Sequence, residues 1–290
     1  MMESIKKMAA GNDDSIEKLR ALDDVVLFTT TMYGADKHSL VRQELALKLL
    51  DNASRLGMRV VVVDGGSNTE FLEKARQCKG VMFVSETPNK TMGAGRRQAL
   101  DEAMKLQNAS VFFWTEPERD TLVNSVSLGD MVQKVKSGEA DIVMARRRGN
   151  DMRPEFQRWI ETRANKKAAP LMRAADSKKD DEIDLWFAPK MSNRDAARYF
   201  SEYTGKLDKW DAVIKPVIQA AQEGKKIASV DVDYTYDRTQ VDAEEGDRTM
   251  NAKRFDQYRQ ILAELGDDFW SREGKGVKDG EPKSTKLKET

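Results

Sequence analysis

Cysteine and histidine are nearly absent: the 290 residues contain one of each, Cys78 and His38. A single cysteine cannot form an internal disulfide. One histidine and one cysteine leave too few ligands for a zinc site of the usual kind. A Ser-His-Asp triad would have to be built on His38 alone, and His38, directly after Ala35-Asp36-Lys37, reads as a surface or capping residue. Acid–base and metal chemistry therefore falls to carboxylates. Net charge is lacking too, since Lys+Arg and Asp+Glu balance at 49 each. Such a balance gives no electrostatic footprint for nucleic acid or an anionic membrane. No apolar run approaches the ~20 residues of a membrane helix, and residues 1–20 carry no apolar signal core. These absences lead us to expect a reducing, cytoplasmic setting without an integral membrane segment. The oligomeric state is not legible.

The apolar residues, 39 % of the chain, are gathered into short runs, so a packed core is feasible. Val25–Phe28, Arg59–Asp64, Val81–Val84, Val111–Trp114 and Asp141–Ala145 read as strands, and Arg59–Asp64 is the clearest. Between them, residues 39–56, 68–78, 94–106 and 122–137 carry apolar positions at helical spacing. Continuous apolar strands alternating with helices predict an α/β fold: a mostly parallel central sheet covered by helices on both faces.

The second half changes character. A short strand is expected at 184–189, helices at 193–203, 210–223 and 251–265, and a late strand at 226–234. The domain reading is a polar lead-in at 1–22, an α/β half at 23–145, a second half of the same domain at 146–270, and a disordered tail at 271–290. That tail has almost nothing apolar to offset its ordering entropy.

In an open parallel sheet, ligands bind at the carboxyl ends of the strands. The segments that follow the strands are Thr29-Thr30-Thr31, Asp64-Gly65-Gly66-Ser67-Asn68, Gly93-Ala94-Gly95-Arg96-Arg97, Thr115-Glu116-Pro117-Glu118 and Arg146-Arg147-Arg148. Gathered on one edge, these hydroxyls, glycines, arginines and carboxylates suit a diphosphate with a divalent cation. Each piece alone has a plainer reading. Asp64-Gly65-Gly66 also serves as a strand-ending turn. Gly93-Ala94-Gly95 also serves as an ordinary helix start, or as one whose free amides, with Arg96, face a phosphate. Glu116-Pro117-Glu118 is also a proline-led helix N-terminus. Taken with the other loops, its hard carboxylate oxygens are read as ligands for Mg²⁺ or Mn²⁺.

The order of these segments resembles the GT-A fold glycosyltransferases, in particular the family-2-like group that includes mannosylglycerate synthase and the dolichyl-phosphate sugar transferases. The resemblance runs from about Val25 to Tyr258. VVVVDGGSN (60–68) is similar to the family's second strand with its nucleobase-contacting Asp, here Asp64. GAGRRQAL (93–100) is similar to the helix under the nucleotide. FFWTEPERD (112–120) sits where the family carries its Asp-x-Asp metal motif. ADIVMARR (140–147) is similar to the following strand. Trp210-Asp211 and KIASVDVDY (226–234) are similar to the catalytic-acid helix and the strand after it.

The resemblance implies a metal-dependent hexosyltransferase taking a nucleotide-diphospho-sugar donor to an acceptor that the sequence does not name. Thr29, Thr30, Asp64, Gly93, Gly95 and Arg96 would line the donor. Glu116 and Glu118 would hold Mg²⁺ or Mn²⁺. Arg248, Lys253 and Arg254 would close over the diphosphate, and Asp211 would be the base if the reaction inverts, or would only bind the sugar or acceptor if it retains. The chain departs from the family in having Glu-Pro-Glu as its metal motif and no histidine after His38, so that Glu245 or Asp247 would have to replace a C-terminal histidine ligand. Two alternatives stand beside this reading: a non-catalytic protein of the same fold, and a nucleotidyltransferase, whose Gly-rich first loop is not matched by TTTMYGAD (29–36).

Overall fold

The computed structural model describes residues 22–88, 91–123, 126–148, 152–172, 184–205 and 207–265. The expected tail and nearly all of the polar lead-in lie outside these residues. Seven strands form one sheet: β1 (Val25–Thr31), β2 (Arg59–Asp64), β3 (Val81–Ser85), β4 (Val111–Trp114), β5 (Ile142–Arg147), β6 (Lys190–Asn193) and β7 (Ile227–Val232), in the order β3-β2-β1-β4-β6-β5-β7. All pairings are parallel except those of β6, which runs antiparallel to both β4 and β5.

The helices are α1 (Lys37–Arg55), α2 (Thr69–Ala75), α3 (Met92–Lys105), α4 (Val126–Lys136), α5 (Glu155–Ala168), α6 (Arg194–Ser201), α7 (Asp211–Gln222), α8 (Arg238–Glu244) and α9 (Arg248–Glu264). The caps follow from local chemistry: Asp36, Asn68, Thr91, Asn193, Asp237 and Asp247 each accept from an amide of the first turn that follows. No described helix is long and apolar enough to cross a membrane.

The apolar runs of β1, β2 and β4 are buried because both faces of the sheet are covered. Val60 and Val62 of β2 pack into one core with Ala46, Leu49 and Leu50 of α1. Val61 and Val63 turn the other way, onto Ala99, Leu100 and Ala103 of α3. Burying a valine contributes roughly 1.5–3 kcal/mol, so four in succession hold this strand between two helical layers.

One strand departs from the expectation. The short strand expected at 184–189 is instead a loop, and the strand is the next segment, Lys190-Met191-Ser192-Asn193. Its apolar content is one residue, Met191, fully buried between Phe113 and Val143. Lys190 is buried as well, and its ammonium caps the preceding loop by donating to the carbonyls of Leu185 (3.1 Å), Phe187 (3.1 Å) and Ala188 (3.3 Å). The strand is held by ladder bonds and this cap rather than by an apolar run.

The strand order reverses between β1 and β4, a topological switch point where open α/β sheets bind ligands. The segments that follow β1 and β4, at Met32-Tyr33 and Glu116-Pro117-Glu118, both line the largest open cleft at that edge.

Candidate functional site

Two cavities meet at this edge. The outer one is an open cleft of about 510 Å³ between the ends of β1 and β4 and the starts of α1 and α3. The inner one, about 130 Å³, reaches under the loop 184–188 toward α5 and α9. Both are lined by Arg42, Arg96, Glu116, Glu118, Met250 and Lys253. These six residues form a neck, and the expected carboxylate pair lies in it.

The two carboxylates have different surroundings. Arg119 donates to Oε2 of Glu116 from Nε (3.0 Å) and Nη2 (2.6 Å). Burial would raise the Glu116 carboxyl, but the charges of Arg119, Arg96 and Arg42 outweigh it and hold Glu116 below the usual carboxylate range. Glu118 accepts from the Tyr33 hydroxyl at 3.1 Å. Burial lifts its carboxyl, Arg42 counters, and the neighbouring charge of Glu116 adds to the rise, so Glu118 sits above the usual range. Arg119 is itself locked in place. It donates to the Tyr234 hydroxyl at 2.9 Å, and its guanidinium lies 4.5 Å from the Tyr236 ring centroid.

Arg96 reaches the neck as expected, by a route not legible in the sequence. Its guanidinium stands 5.2 Å from the ring centroids of both Trp114 and Trp210 and donates to the Lys209 carbonyl at 2.7 Å. Burial lowers its pKa to about 10 despite the opposing charges of Glu116, Asp211 and Asp208. Lys253 also lines both cavities. Arg254 lines the inner one and is paired with Glu244, which accepts from Arg42 at 2.9 Å as well.

Thr30 lines the outer cleft. Asp64 ends β2 in an adjoining cavity with Gly65, Gly66 and Glu86. Its Oδ2 accepts from the amides of Gly66 and Ser67, both at 3.0 Å, and its Oδ1 from the Thr31 hydroxyl at 2.7 Å. Asp64 therefore builds the turn as well as facing the ligand edge.

Other expected residues are placed differently. Thr29 is fully buried and donates to the Thr115 carbonyl at 2.8 Å, tying β1 to β4 rather than lining the cleft. The start of α3 does not present free amides. Gly93 donates to the Asp208 carbonyl at 2.7 Å, and the Asp208 carboxylate is held by Thr91 and by both terminal nitrogens of Arg97. Gly93 is thus a packing glycine, since a Cβ there would stand 2.7 Å from that carbonyl. Gly95 makes room for the Glu86 carboxylate.

Asp211, expected as the base, is fully buried and does not line either cavity. Its Oδ2 accepts from Tyr203 (2.8 Å) and from the Asp208 amide (3.2 Å), and its Oδ1 from the Lys209 amide (2.8 Å). It is held by the Tyr203 hydroxyl and by the amides just ahead of α7, and lines neither cavity. Arg248 is exposed and lines neither cavity. Glu245 is exposed too, and Asp247 caps α9 at the Met250 amide, 3.6 Å from Nε2 of His38. Neither acidic residue lines the cleft. Among the described residues, no group of three or more His, Cys, Asp or Glu side chains is arranged to hold a metal ion by itself.

Arg42 and Gln157, at the neck and inner cavity, are not singled out by the sequence, and Arg147 is legible there only as part of the arginine run after β5. Arg42 lies in the middle of α1, on what reads as a solvated face. Arg147 is buried, bidentate on Asp184 (2.7 and 2.9 Å) and 2.8 Å from Glu161. Gln157 donates to Glu161 at 2.7 Å and to the Tyr236 hydroxyl at 3.1 Å. Nothing local marks these residues as lining a cavity: Arg42 and Arg147 meet partners from other elements, and Gln157 meets Tyr236 as well as Glu161 of its own helix.

No protein-family model matches the sequence, and no curated protein sequence matches it. Solved structures do. Glucosyl-3-phosphoglycerate synthase from Mycobacterium tuberculosis is similar at a TM-score of 0.60 and 14% identity, covering 90% of this chain and 85% of that one. The same enzyme in complex with Mg²⁺ and UDP gives a TM-score of 0.57 at 14% identity, over 87% and 83% of the two chains. Its complex with Mn²⁺, UDP-glucose and phosphoglyceric acid also gives 0.57 at 14% identity, over 87% and 84%. At this identity the likeness is one of fold, and the fold is GT-A.

Proposed function

We propose that the chain is a glycosyltransferase that moves a hexosyl group from a nucleotide-diphospho-sugar, bound in the outer cleft, to a small acceptor in the inner cavity. The observation that carries this reading is the shared neck. A donor in one cavity and an acceptor in the other would meet at Arg42, Arg96, Glu116, Glu118 and Lys253. The solved structures of similar fold, crystallised with UDP-glucose, Mn²⁺ and phosphoglyceric acid, support it.

Glu116 and Glu118 fit Mg²⁺ or Mn²⁺ as partners of a diphosphate. Both offer hard oxygens, and the raised Glu118 carboxyl beside a charged Glu116 is a repulsion that a divalent cation would relieve. Such an ion, when bound, supplies Lewis acidity toward the leaving diphosphate. Arg96 and Lys253 place positive charge at the neck, where the negative charge of the departing diphosphate develops. Arg42 offsets part of the rise that burial imposes on the Glu118 carboxyl.

The inner cavity suits a small, hydroxylated, anionic acceptor. Arg254 Nη1, Arg42 Nε, Gln157 Oε1 and Gln240 Oε1 are buried there without hydrogen-bond partners among the described residues. That set offers cationic donors for an anionic group and amides for hydroxyls. The reading places the protein in the cytoplasm, where nucleotide-sugars and a reduced Cys78 are both to be expected.

A second reading, a nucleotide-sugar-binding protein without turnover, is favoured by the Arg119 clamp on Glu116 and the buried Asp211. One experiment separates the two. The protein is incubated with UDP-, GDP- and ADP-hexoses, Mn²⁺ and a panel of small hydroxy-acids and their phosphates, and glycosylated product is read by mass spectrometry. Product that requires Glu118 supports transfer. Donor binding with neither product nor slow donor hydrolysis supports the second reading.

A further inference from the structure

Tyr33 stands just past the end of β1, and its backbone and its hydroxyl belong to different neighbours. The backbone is tied to the turn after β2. The Tyr33 amide donates to Oγ of Ser67 at 3.0 Å, and its carbonyl accepts from the Asn68 amide at 3.0 Å. The bonds on either side repeat this pairing, from the Gly65 amide to the Thr31 carbonyl at 2.8 Å and from Nδ2 of Asn68 to the Gly34 carbonyl at 3.0 Å. The ring is 5% exposed and meets the fully buried Phe71 of α2 edge to face, with 5.0 Å between centroids and 82° between planes. The hydroxyl points the other way across the switch point and donates to Oε1 of Glu118 at 3.1 Å, in the segment after β4.

Glu118 is the carboxylate that needs such a hold. A glutamate side chain loses rotamer freedom when it is fixed, and the charge of Glu116 repels this one. The two carboxylates are held by unlike donors. Arg119 clamps Glu116 with a cation, which repels a divalent ion while it attracts the carboxylate. Tyr33 holds Glu118 with a neutral hydroxyl. Burial and the charge of Glu118 raise the phenol well above its ordinary range and keep it a protonated donor. A neutral donor on one oxygen orients the carboxylate without adding positive charge beside the ion. Donors set behind a metal ligand in this way typically carry about 10–100-fold of metal affinity.

We propose that Tyr33 is a positioning residue for the metal site: from a backbone fastened to the turn after β2, its hydroxyl holds the Glu118 carboxylate ready for Mg²⁺ or Mn²⁺. One residue then ties the turn at Asp64, where the nucleoside is expected, to a carboxylate of the metal pair. The proposal rests on the reading of Glu116 and Glu118 as partners of a diphosphate-bound ion.

The test is calorimetry of UDP and of GDP, each with Mn²⁺ and with EDTA, against the wild type, Tyr33→Phe, Glu118→Gln and the double variant. Tyr33→Phe keeps the ring and its contact with Phe71 and removes only the hydroxyl. Its affinity with Mn²⁺ should fall roughly tenfold, while its affinity in EDTA and its melting temperature stay close to those of the wild type. In the Glu118→Gln background the same substitution should cost nothing further, because Tyr33 acts only through that carboxylate. A full Mn²⁺ gain in Tyr33→Phe overturns the proposal and leaves the metal reading standing. So does an equal loss with Mn²⁺ and with EDTA, or a further loss in the double variant, either of which would make Tyr33 a wall of the cleft. Binding that Mn²⁺ does not strengthen in the wild type, or no binding at all, overturns the metal reading and the proposal together.

Discussion

Arg119 closes on a single oxygen of Glu116 from two nitrogens, and no hydrogen bond among the described residues uses the other oxygen, Oε1. The pair sits at the neck between the two cavities, with the arginine buried beneath it. One carboxylate oxygen anchors the loop after β4 while the other stays available to a ligand. The clamp therefore does more than neutralise Glu116.

Breaking the clamp from the arginine side should destabilise the fold. Arg119→Met removes the hydrogen-bonding partner of Glu116 and the donor to Tyr234, leaving a largely buried carboxylate with only the charges of Arg96 and Arg42. Losses of about 3–5 kcal/mol are typical of one broken buried pair. Urea denaturation should show a loss of this order. A change below 1 kcal/mol would mean that the carboxylate finds another partner.

Glu118 and Glu116 should give opposite pH signatures. Glu118 has a folded pKa above its unfolded value, so its ionised form costs stability, and that cost disappears as pH falls through the raised folded pKa. Glu116 has a depressed folded pKa, so its contribution is present above the unfolded value of 4.5 and is lost as pH falls through the folded one. Glu118→Gln should accordingly stabilise the protein more at pH 7 than at pH 4, and Glu116→Gln should destabilise it more at pH 7 than at pH 4. Denaturation curves at the two pH values check both signs.

Lys190 supplies a second pH test. Burial lowers its pKa to about 7 despite the nearby carboxylates of Asp184 and Glu116. A lysine with a lowered folded pKa costs stability while charged. The unfolded chain therefore binds the extra proton between about pH 7 and the ordinary value of 10.5, and stability from this group rises with pH across that window. Wild type should gain stability between pH 6.5 and 9.5 relative to Lys190→Met. A flat difference across that range would mean that the three carbonyls keep the ammonium charged.

Asp211→Asn separates a base from a scaffold. Three donors converge on the carboxylate, and an asparagine would turn an amide against at least one of them. A cost of about 1–3 kcal/mol is the scale of one buried unsatisfied group. The melting temperature should fall while turnover per folded molecule, assayed well below it, stays within a few-fold of wild type. A turnover loss of a thousandfold with unchanged melting would return Asp211 to the chemistry.

The parts of this molecule legible in sequence are those written locally. Four valines in a row announce β2, and a proline between two glutamates after an apolar strand marks the turn that enters the neck. The parts that were hidden depend on partners distant in the chain. Strand β6 has one apolar residue and is held by a lysine that caps its own loop. Asp211 opens α7 like any acidic first-turn residue, and only the fold brings its oxygens to Tyr203, Asp208 and Lys209. Thr29 and Thr30 are adjacent in sequence, yet alternation along the strand sends one hydroxyl into the sheet and the other residue to the cleft. Arg42 reads as helix surface because Glu244 and Glu118 approach from elements far away in the chain.

The most direct test of the account is calorimetric titration of a nucleoside diphosphate into the wild-type protein and into Glu118→Gln, with Mn²⁺ and with EDTA. Both GDP and UDP should be used, so that the choice of base does not decide the outcome. The account predicts binding that Mn²⁺ strengthens at least tenfold in the wild type, the scale of one charge-assisted contact, with most of that gain lost in Glu118→Gln and the affinity in EDTA unchanged. Binding that is indifferent to Mn²⁺ in the wild type, or a metal effect undiminished in Glu118→Gln and Glu116→Gln alike, would contradict the assignment of this carboxylate pair.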